Sequence, residues 1–260
     1  MTEAAPAFEA LAADYDSAFT NTMLGRRYRD AIWRRFPVCF PAGSAVLELN
    51  CGTGEDAVEL ARRGVSVLAT DLAPAMLAIT RAKAAAASLG ELVSTRCLDV
   101  NNLAELRRQG RRFDAVLSNF GGLNCVADLA QVAAGLAGLL GRGGQVLLCL
   151  MGPHVPGEWL WFLSRLQARN AFRRLRAPVS WHGIDIFYPT VGQTRRAFEP
   201  NFAVQRSWAL GTLLPPPAAE GWAARHPRLV NGLDRAERRI ETWPGVARLA
   251  DHYVLELVRR

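Results

Sequence analysis

Between Ala45 and Met151 the chain alternates short apolar runs with helix-like stretches, and this alternation limits the fold more than any other feature. Ala45-Val46-Leu47-Glu48-Leu49 reads as a buried strand, Gly52-Thr53-Gly54 as a turn, and Glu55 to Arg63 as a helix stopped by Gly64. Val65 to Thr70 is the second expected strand, followed by an Ala-rich helix from Ala73 to Leu89. Leu92 to Leu98, Phe113 to Ser118 and Gln145 to Met151 continue the strands, with helices expected at Leu103 to Gln109 and Asp128 to Leu140. Gly141-Arg142-Gly143-Gly144 reads as the turn before the fifth strand. Strands and helices in this rhythm give βαβ units and a parallel sheet. Apolar strands such as Val146-Leu147-Leu148-Cys149-Leu150 fit a sheet covered on both faces. Right-handed crossovers then collect the strand C-termini on one edge, where such sheets bind ligands.

The flanks break the rhythm. Phe8 to Phe36 reads as helical, with Phe8, Leu11, Tyr15 and Phe19 at helical steps, until Pro37 and Pro41-Ala42-Gly43 end it. After Met151 the pattern predicts a helix over Glu158 to Leu175, a strand over Trp181 to Tyr188, a helix over Thr190 to Phe198, and strands over Phe202 to Leu210 and Asp251 to Val258. A helical stretch with Trp222, Arg225, His226 and Trp243 follows Pro215-Pro216-Pro217. The chain thus divides into an N-terminal helical segment covering the ligand site (1–44), a ligand-binding core (45–151), and a remainder (152–260). That remainder completes the sheet and carries two inserted cap segments, about 155–188 and 214–249.

Of the 260 residues, 50% are hydrophobic and 21% charged, which suits a folded chain with a sizeable core. The net charge of +7 (31 basic less 24 acidic residues) is carried mainly by arginine. Its clusters, such as Arg107-Arg108-Arg111-Arg112 and Arg173-Arg174-Arg176, are scattered and joined by no aromatic-interleaved stripe, so a nucleic-acid partner is not expected. The five cysteines form no C-x-x-C pair, which argues against zinc or a disulfide framework. Met1 to Ala13 lacks the basic start of a signal peptide, and no apolar run nears the ~20 residues that span a bilayer. A cytoplasmic monomer or homodimer without a membrane span is the expectation.

The glycine turn carries the most chemistry. A buried strand delivers it onto a helix start, where free N–H groups and the positive dipole end meet a ligand. Gly52-x-Gly54-x-x-Ala57 also matches the G-x-G-x-x-A form of the dinucleotide fingerprint. Glu48, just before the turn, would oppose a pyrophosphate there but tolerates a cationic ligand. Asp71 follows the turn by about 20 residues, the spacing of a ribose-binding acid. Its carboxylate can accept from both ribose hydroxyls, and it is also a candidate cap for the helix at Ala73-Pro74. Asp99 ends the third strand and suits an adenine amino group.

Glu48-Leu49-Asn50-Cys51-Gly52-Thr53-Gly54 resembles the first motif of class I S-adenosylmethionine-dependent methyltransferases, with Asn50 where the first glycine commonly stands. Asp71-Leu72-Ala73-Pro74-Ala75-Met76 looks like the following ribose motif, Asp99-Val100 like the adenine-contacting acid, and Asn119 like the end of the fourth strand. Tyr15-Asp16 resembles a pattern in small-molecule members, where the tyrosine closes over the methionine end of the cofactor. The resemblance covers about Phe8 to Met151. It implies a Rossmann-like, mostly parallel seven-stranded α/β sheet with helices on both faces plus cap elements. It also implies S-adenosyl-L-methionine as cofactor, held by Tyr15, Glu48, Asn50, Gly52, Gly54, Asp71, Leu72, Met76, Asp99, Val100 and Asn119.

The expected reaction is methyl transfer to a small-molecule acceptor, with oxygen favoured over nitrogen or carbon. The alternatives are an NAD(P)-dependent oxidoreductase and a non-methylating S-adenosylmethionine-binding protein. Methyl transfer needs positioning and exclusion of water more than a fixed catalytic motif. Asn119 is followed by Phe120-Gly121-Gly122 and not by the Pro-Pro of enzymes that methylate bases in nucleic acid. His154, just past the fifth strand, is the candidate base, with His182 second. Tyr188, Trp159, Trp181 and Trp222 are candidates to line an apolar pocket.

Overall fold

The computed structural model describes residues 4–260. Helix α1 (Ala4–Tyr15), a π-helical turn (Asp16–Thr20), α2 (Met23–Trp33) and the short α3 (Phe36–Cys39) precede β1 (Ala45–Leu49). Then follow α4 (Glu55–Arg62), β2 (Ser66–Asp71), α5 (Pro74–Ala86), β3 (Val93–Cys97), α6 (Ala104–Arg108), β4 (Phe113–Ser118), α7 (Leu129–Ala137) and β5 (Leu140–Met151). The last part holds α8 (Pro156–Leu163), α9 (Ala168–Ala171), β6 (Val179–Trp181), β7 (Ile184–Ile186), α10 (Val191–Phe198), β8 (Phe202–Leu210), α11 (Glu220–Ala223), α12 (Pro227–Ile240) and β9 (His252–Arg259).

Seven strands form one sheet in the order β3-β2-β1-β4-β5-β9-β8, while β6 and β7 pair separately. β1 to β5 run parallel, and β9 is antiparallel to both its neighbours. This is the expected Rossmann-like sheet. Strand order reverses between β1 and β4, which opens a crevice above their C-termini.

Side chains alternate between the two faces along each strand. Val46, Leu117, Leu147, Cys149 and Val254 pack on one face under α2, α3 and α4, against Tyr28, Ile32, Phe36 and Leu60. Leu47, Val116, Leu148 and Leu255 pack on the other, against Leu106, Val132 and Leu136 of α6 and α7 and Phe198 of α10. Double burial is why these strands read as nearly unbroken apolar runs.

Four expectations change in detail. The helix expected from Phe8 to Phe36 is broken after Thr20, because the Thr22 side chain accepts from Gly25 N and starts a new helix. The helix expected from Glu158 to Leu175 ends at Leu163, since Leu166 turns the chain with φ +58°. The strand expected from Trp181 to Tyr188 is a hairpin, β6–β7, whose turn residues His182 and Gly183 both have positive φ. The glycine-rich turn before the fifth strand lies inside β5 as a bulge: Leu140 pairs with Phe113, and the next partners are Gln145 and Ala115.

Candidate active site

A cavity of about 420 Å³ opens above the C-terminal ends of β1, β2 and β4, within the size range of small-molecule sites. Asn50, Gly52, Asp71, Leu72, Met76, Asp99, Val100, Asn119 and Tyr15, all singled out in the sequence, line it. Asn50 has φ +54°, a conformation that Asn tolerates better than most side chains. Its side chain has room because the facing residue is Gly122, where a Cβ would stand 2.4 Å from Asn50 Cβ. The departure from glycine at Asn50 is thus matched by a glycine after β4.

Asp71 ties the turn to the next helix. Its Oδ2 accepts from Gly52 N at 2.9 Å and its Oδ1 from Ala73 N at 3.0 Å. Each oxygen keeps a second lone pair. Burial pushes the Asp71 carboxyl above its ordinary value, and the N–H groups of Ala73, Gly52 and Leu72 oppose the shift. Asp99 Oδ1 accepts from Asn101 N at 2.9 Å. Asn119 donates from Nδ2 to Asp56 at 2.9 Å, and Asp56 also takes Arg29 and Trp33. The first turn of α4 carries Glu55 and Asp56, and the Gly52 N–H is already taken. A pyrophosphate there would meet these two carboxylates, which weighs against the dinucleotide reading.

Two distant segments close the cavity. Phe8 and Tyr15 of α1 line one side, and Trp181 and Ile186 of the hairpin line the other, with the Phe8 and Trp181 rings 6.1 Å apart. Glu9 accepts from Ala75 N and fixes α1 to the start of α5. Asp16 accepts from Thr53 Oγ1 at 2.6 Å and pairs with Lys83 at 2.7 Å, joining the π-helical turn to the glycine turn. Asn124, fully buried, donates to the Met151 and Phe187 carbonyls and so holds the hairpin to the end of β5.

A second cavity of about 250 Å³ adjoins the first, sharing Tyr15, Phe120, Met151 and Arg173 as walls. Phe19, Phe162 and Pro216 add apolar surface, and Asp251 and His252 lie at its base. His252 is 5% exposed and stands opposite Met151 in the β5–β9 ladder. Arg174 joins Asp251 and Glu158 in a buried cluster that Arg173 extends through Glu158 at 2.6 Å. Burial would raise the Asp251 carboxyl, but the Arg174 guanidinium and His252 hold it below the usual carboxylate range.

Several candidates lie elsewhere. Glu48 is buried beneath the turn and does not line the cavity; burial and the nearby Asp56 charge push its carboxyl well up. Gly54 serves packing, since a Cβ there would meet Thr80 Cγ2 at 2.4 Å. His154 is exposed and lines neither cavity; it faces a separate depression beside Thr190 and Arg248. His182 sits at the exposed hairpin tip against Trp181. Tyr188 and Trp181 line the main cavity, whereas Trp159 packs on Phe172 and Trp222 on Trp161 and His226. Of the segment 214–249, only Pro216, Pro217 and Ala218 line either of these two adjoining cavities; α12 packs beside α2, where Arg27 meets Asp234.

Sequence reasoning missed His252 and its cluster. The available signal was an Asp-His pair opening an otherwise apolar strand. Among the described residues, no group of three His, Cys, Asp or Glu side chains could hold a metal, and no helix is long and apolar enough to cross a membrane.

Residues 46–144 match the family model described as a methyltransferase domain. The chain is 34% identical over 157 residues to a demethylmenaquinone methyltransferase of Thermus thermophilus, covering 58% of this chain and 67% of that one. It is 31% identical over 153 residues to the demethylmenaquinone methyltransferase of Clavibacter sepedonicus, covering 57% of this chain and 58% of that one. The chain therefore spans between about half and two thirds of the length of these relatives. Among solved structures, the cyclase SpnF superposes with a TM-score of 0.65 at 17% identity, over 98% of this chain and 94% of the other.

Proposed function

This chain belongs to the class I S-adenosylmethionine-dependent methyltransferase family, and on that premise we propose that it moves a methyl group from S-adenosylmethionine to an oxygen of a small-molecule acceptor. One observation carries the reading. A carboxylate already bound to the glycine turn, Asp71, and a second acid, Asp99, face one cavity above the strand ends.

The residues suit this donor. Asn50 Oδ1, on the cavity wall, and Glu48 Oε2, beneath it, are buried acceptors without a hydrogen-bond partner among the described residues. Such atoms are costly to leave unpaired, and a ligand with an ammonium and hydroxyls supplies partners of the right kind. We assign Asp71 to the ribose, Asp99 and Val100 to the adenine, and Leu72 and Met76 to the apolar face of the nucleoside. Asn50, Gly52, Asn119 and Tyr15 are assigned to the methionine end. Glu48 acts as a buried hydrogen-bonding group from below and Gly54 through packing. When bound, the donor supplies an electrophilic methyl on a sulfonium. The chain's part is to hold the acceptor in line, exclude water with Tyr15 and the hairpin, and accept a proton. Segments 1–44, 45–151 and 152–260 would then serve as cover, donor site and acceptor side.

Calorimetry tests the donor site. Asp71→Asn, which keeps one acceptor for the turn, should weaken S-adenosylhomocysteine binding at least tenfold with the circular dichroism spectrum unchanged; equal affinity would remove the ribose assignment. One observation favours a second reading: a cyclase shares this fold over 98% of the chain. Tight cofactor binding with no S-adenosylhomocysteine released, whatever acceptor is offered, would select it.

A further inference from the structure

We infer that the smaller cavity is the acceptor subsite, that it takes a phenolic or enolic hydroxyl on a flat apolar body, and that His252 removes that hydroxyl's proton; this rests on the methyl-transfer function proposed above. Phe19, Phe120, Phe162 and Met151 give the cavity walls suited to a flat apolar body, and Phe120 and Met151 also wall the donor cavity. Because the two cavities adjoin along Tyr15, Phe120, Met151 and Arg173, an acceptor seated in the smaller one would lie beside the donor, with its hydroxyl turned toward the methyl.

His252 is the one histidine lining either cavity among the described residues, and histidine is the side chain suited to taking a proton near neutral pH. The other titratable groups around it are committed. Arg174 neutralises Asp251 and Glu158, Arg173 pairs with Glu158, and Arg29 stands over Phe120 paired to Asp56. Tyr28 packs edge-on against the imidazole from α2, with burial raising its phenol well above the ordinary value, and Tyr15 is raised likewise at the mouth.

The atoms behind the imidazole are arranged for a gain of charge. Asp251 Oδ2 lies 3.1 Å from His252 Nδ1, and neither atom makes a hydrogen bond among the described residues. A proton taken at Nε2 creates an imidazolium, whose Nδ1–H then has an ionised carboxylate oxygen beside it. The step balances. The hydroxyl proton goes to Nε2, the oxygen's electron pair forms the O–CH3 bond, and the S–CH3 pair returns to sulfur as a neutral thioether. The imidazolium then gives its proton to water.

The test uses the full chain saturated with S-adenosylhomocysteine and 4-nitrophenol as probe, read by the visible absorbance of its phenolate. In the wild type, ionisation of the bound phenol should shift down by about one pH unit, tenfold in its ionisation constant. His252→Gln should bind the phenol within about threefold but titrate it as in free solution, and added imidazole should restore the shift in His252→Ala. A wild-type phenol that does not bind, or titrates unshifted, overturns the inference, as does an equal shift in His252→Gln. Calorimetry on the same samples separates the two claims. If S-adenosylhomocysteine binds and the phenol is unshifted, only the acceptor subsite falls; if S-adenosylhomocysteine fails to bind, the donor reading falls and takes the subsite with it.

Discussion

At the glycine-turn end of the crevice, carboxylates face backbone N–H groups: Asp71 accepts from Gly52, 19 positions back, and Asp99 from Asn101, two positions on. At the far end, carboxylates face guanidinium groups from remote segments, and Arg174 reaches Asp251 across 77 positions. Burial raises Glu48 and Asp71 at the first end, where neither joins an ion pair among the described residues and Arg29 only partly opposes the shift at Glu48, while Arg174 and His252 hold Asp251 down at the second. The first end thus keeps unneutralised acceptors for a cationic ligand. The second is neutralised within the protein, and what it leaves open is an imidazole. Charge of one sign placed in the same sheet edge serves two purposes, set by which partner arrives with it.

The sharpest way to break this contrast is Arg174→Leu. It strands two buried carboxylates, Glu158 and Asp251, and should cost about 3–5 kcal/mol in urea unfolding, since removing one partner leaves uncompensated charge. Because Arg174 does not line the main cavity, the folded fraction should keep its S-adenosylhomocysteine affinity within about threefold. A large loss of affinity with little loss of stability would show that the ends are not separate.

Acid stability distinguishes the ends by sign. Asp251 has a folded pKa below its unfolded value. Its contribution is present above the ordinary carboxylate range and is lost as pH falls through the depressed value. Glu48 has a folded pKa above its unfolded value, so the folded state binds that proton more tightly, and stability falls as pH rises from the ordinary value toward the raised one. Glu48→Gln should therefore stabilise the ligand-free protein by about 1–3 kcal/mol at pH 7, the scale of a poorly solvated buried group, and give little gain near pH 4. Urea titrations at both pH values check this; an equal gain at both would mean that burial does not raise the Glu48 carboxyl above its unfolded value.

The same contrast explains what the sequence disclosed. The inner parallel strands were legible because burial on both faces leaves an apolar run, whereas the edge strand β3, Val93-Ser94-Thr95-Arg96-Cys97, carries only the alternation with the helices around it. The donor-side acids were legible because each sits at a strand end, Asp71 about 20 residues past the glycine turn and Asp99 at the end of the third strand. Asn50 was visible as a departure, but its compensation at Gly122 was not, since nothing in spacing ties the two positions. The Glu158–Arg174–Asp251 cluster was invisible for the same reason: three segments meet only after β9 inserts beside β5. The β6–β7 hairpin was read as one strand because His182 holds the first positive-φ position, where Asn, Asp or Gly would have signalled the turn.

His154 is the smallest and cleanest probe of that lesson. Its position just past the end of β5 places it near the ligand edge in sequence, yet its side chain turns outward to Trp159, with ring centroids 6.5 Å apart, and faces the depression beside Arg248. An exposed side chain with one edge contact contributes little, so His154→Ala should change stability by no more than about 0.5 kcal/mol. S-adenosylhomocysteine affinity should stay unchanged, as should the ionisation of bound 4-nitrophenol, which His252→Gln is expected to alter. If His154→Ala moved the phenol titration and His252→Gln did not, proton removal would belong to the strand end that the sequence pointed to, and the buried cluster around Asp251 would be structural alone.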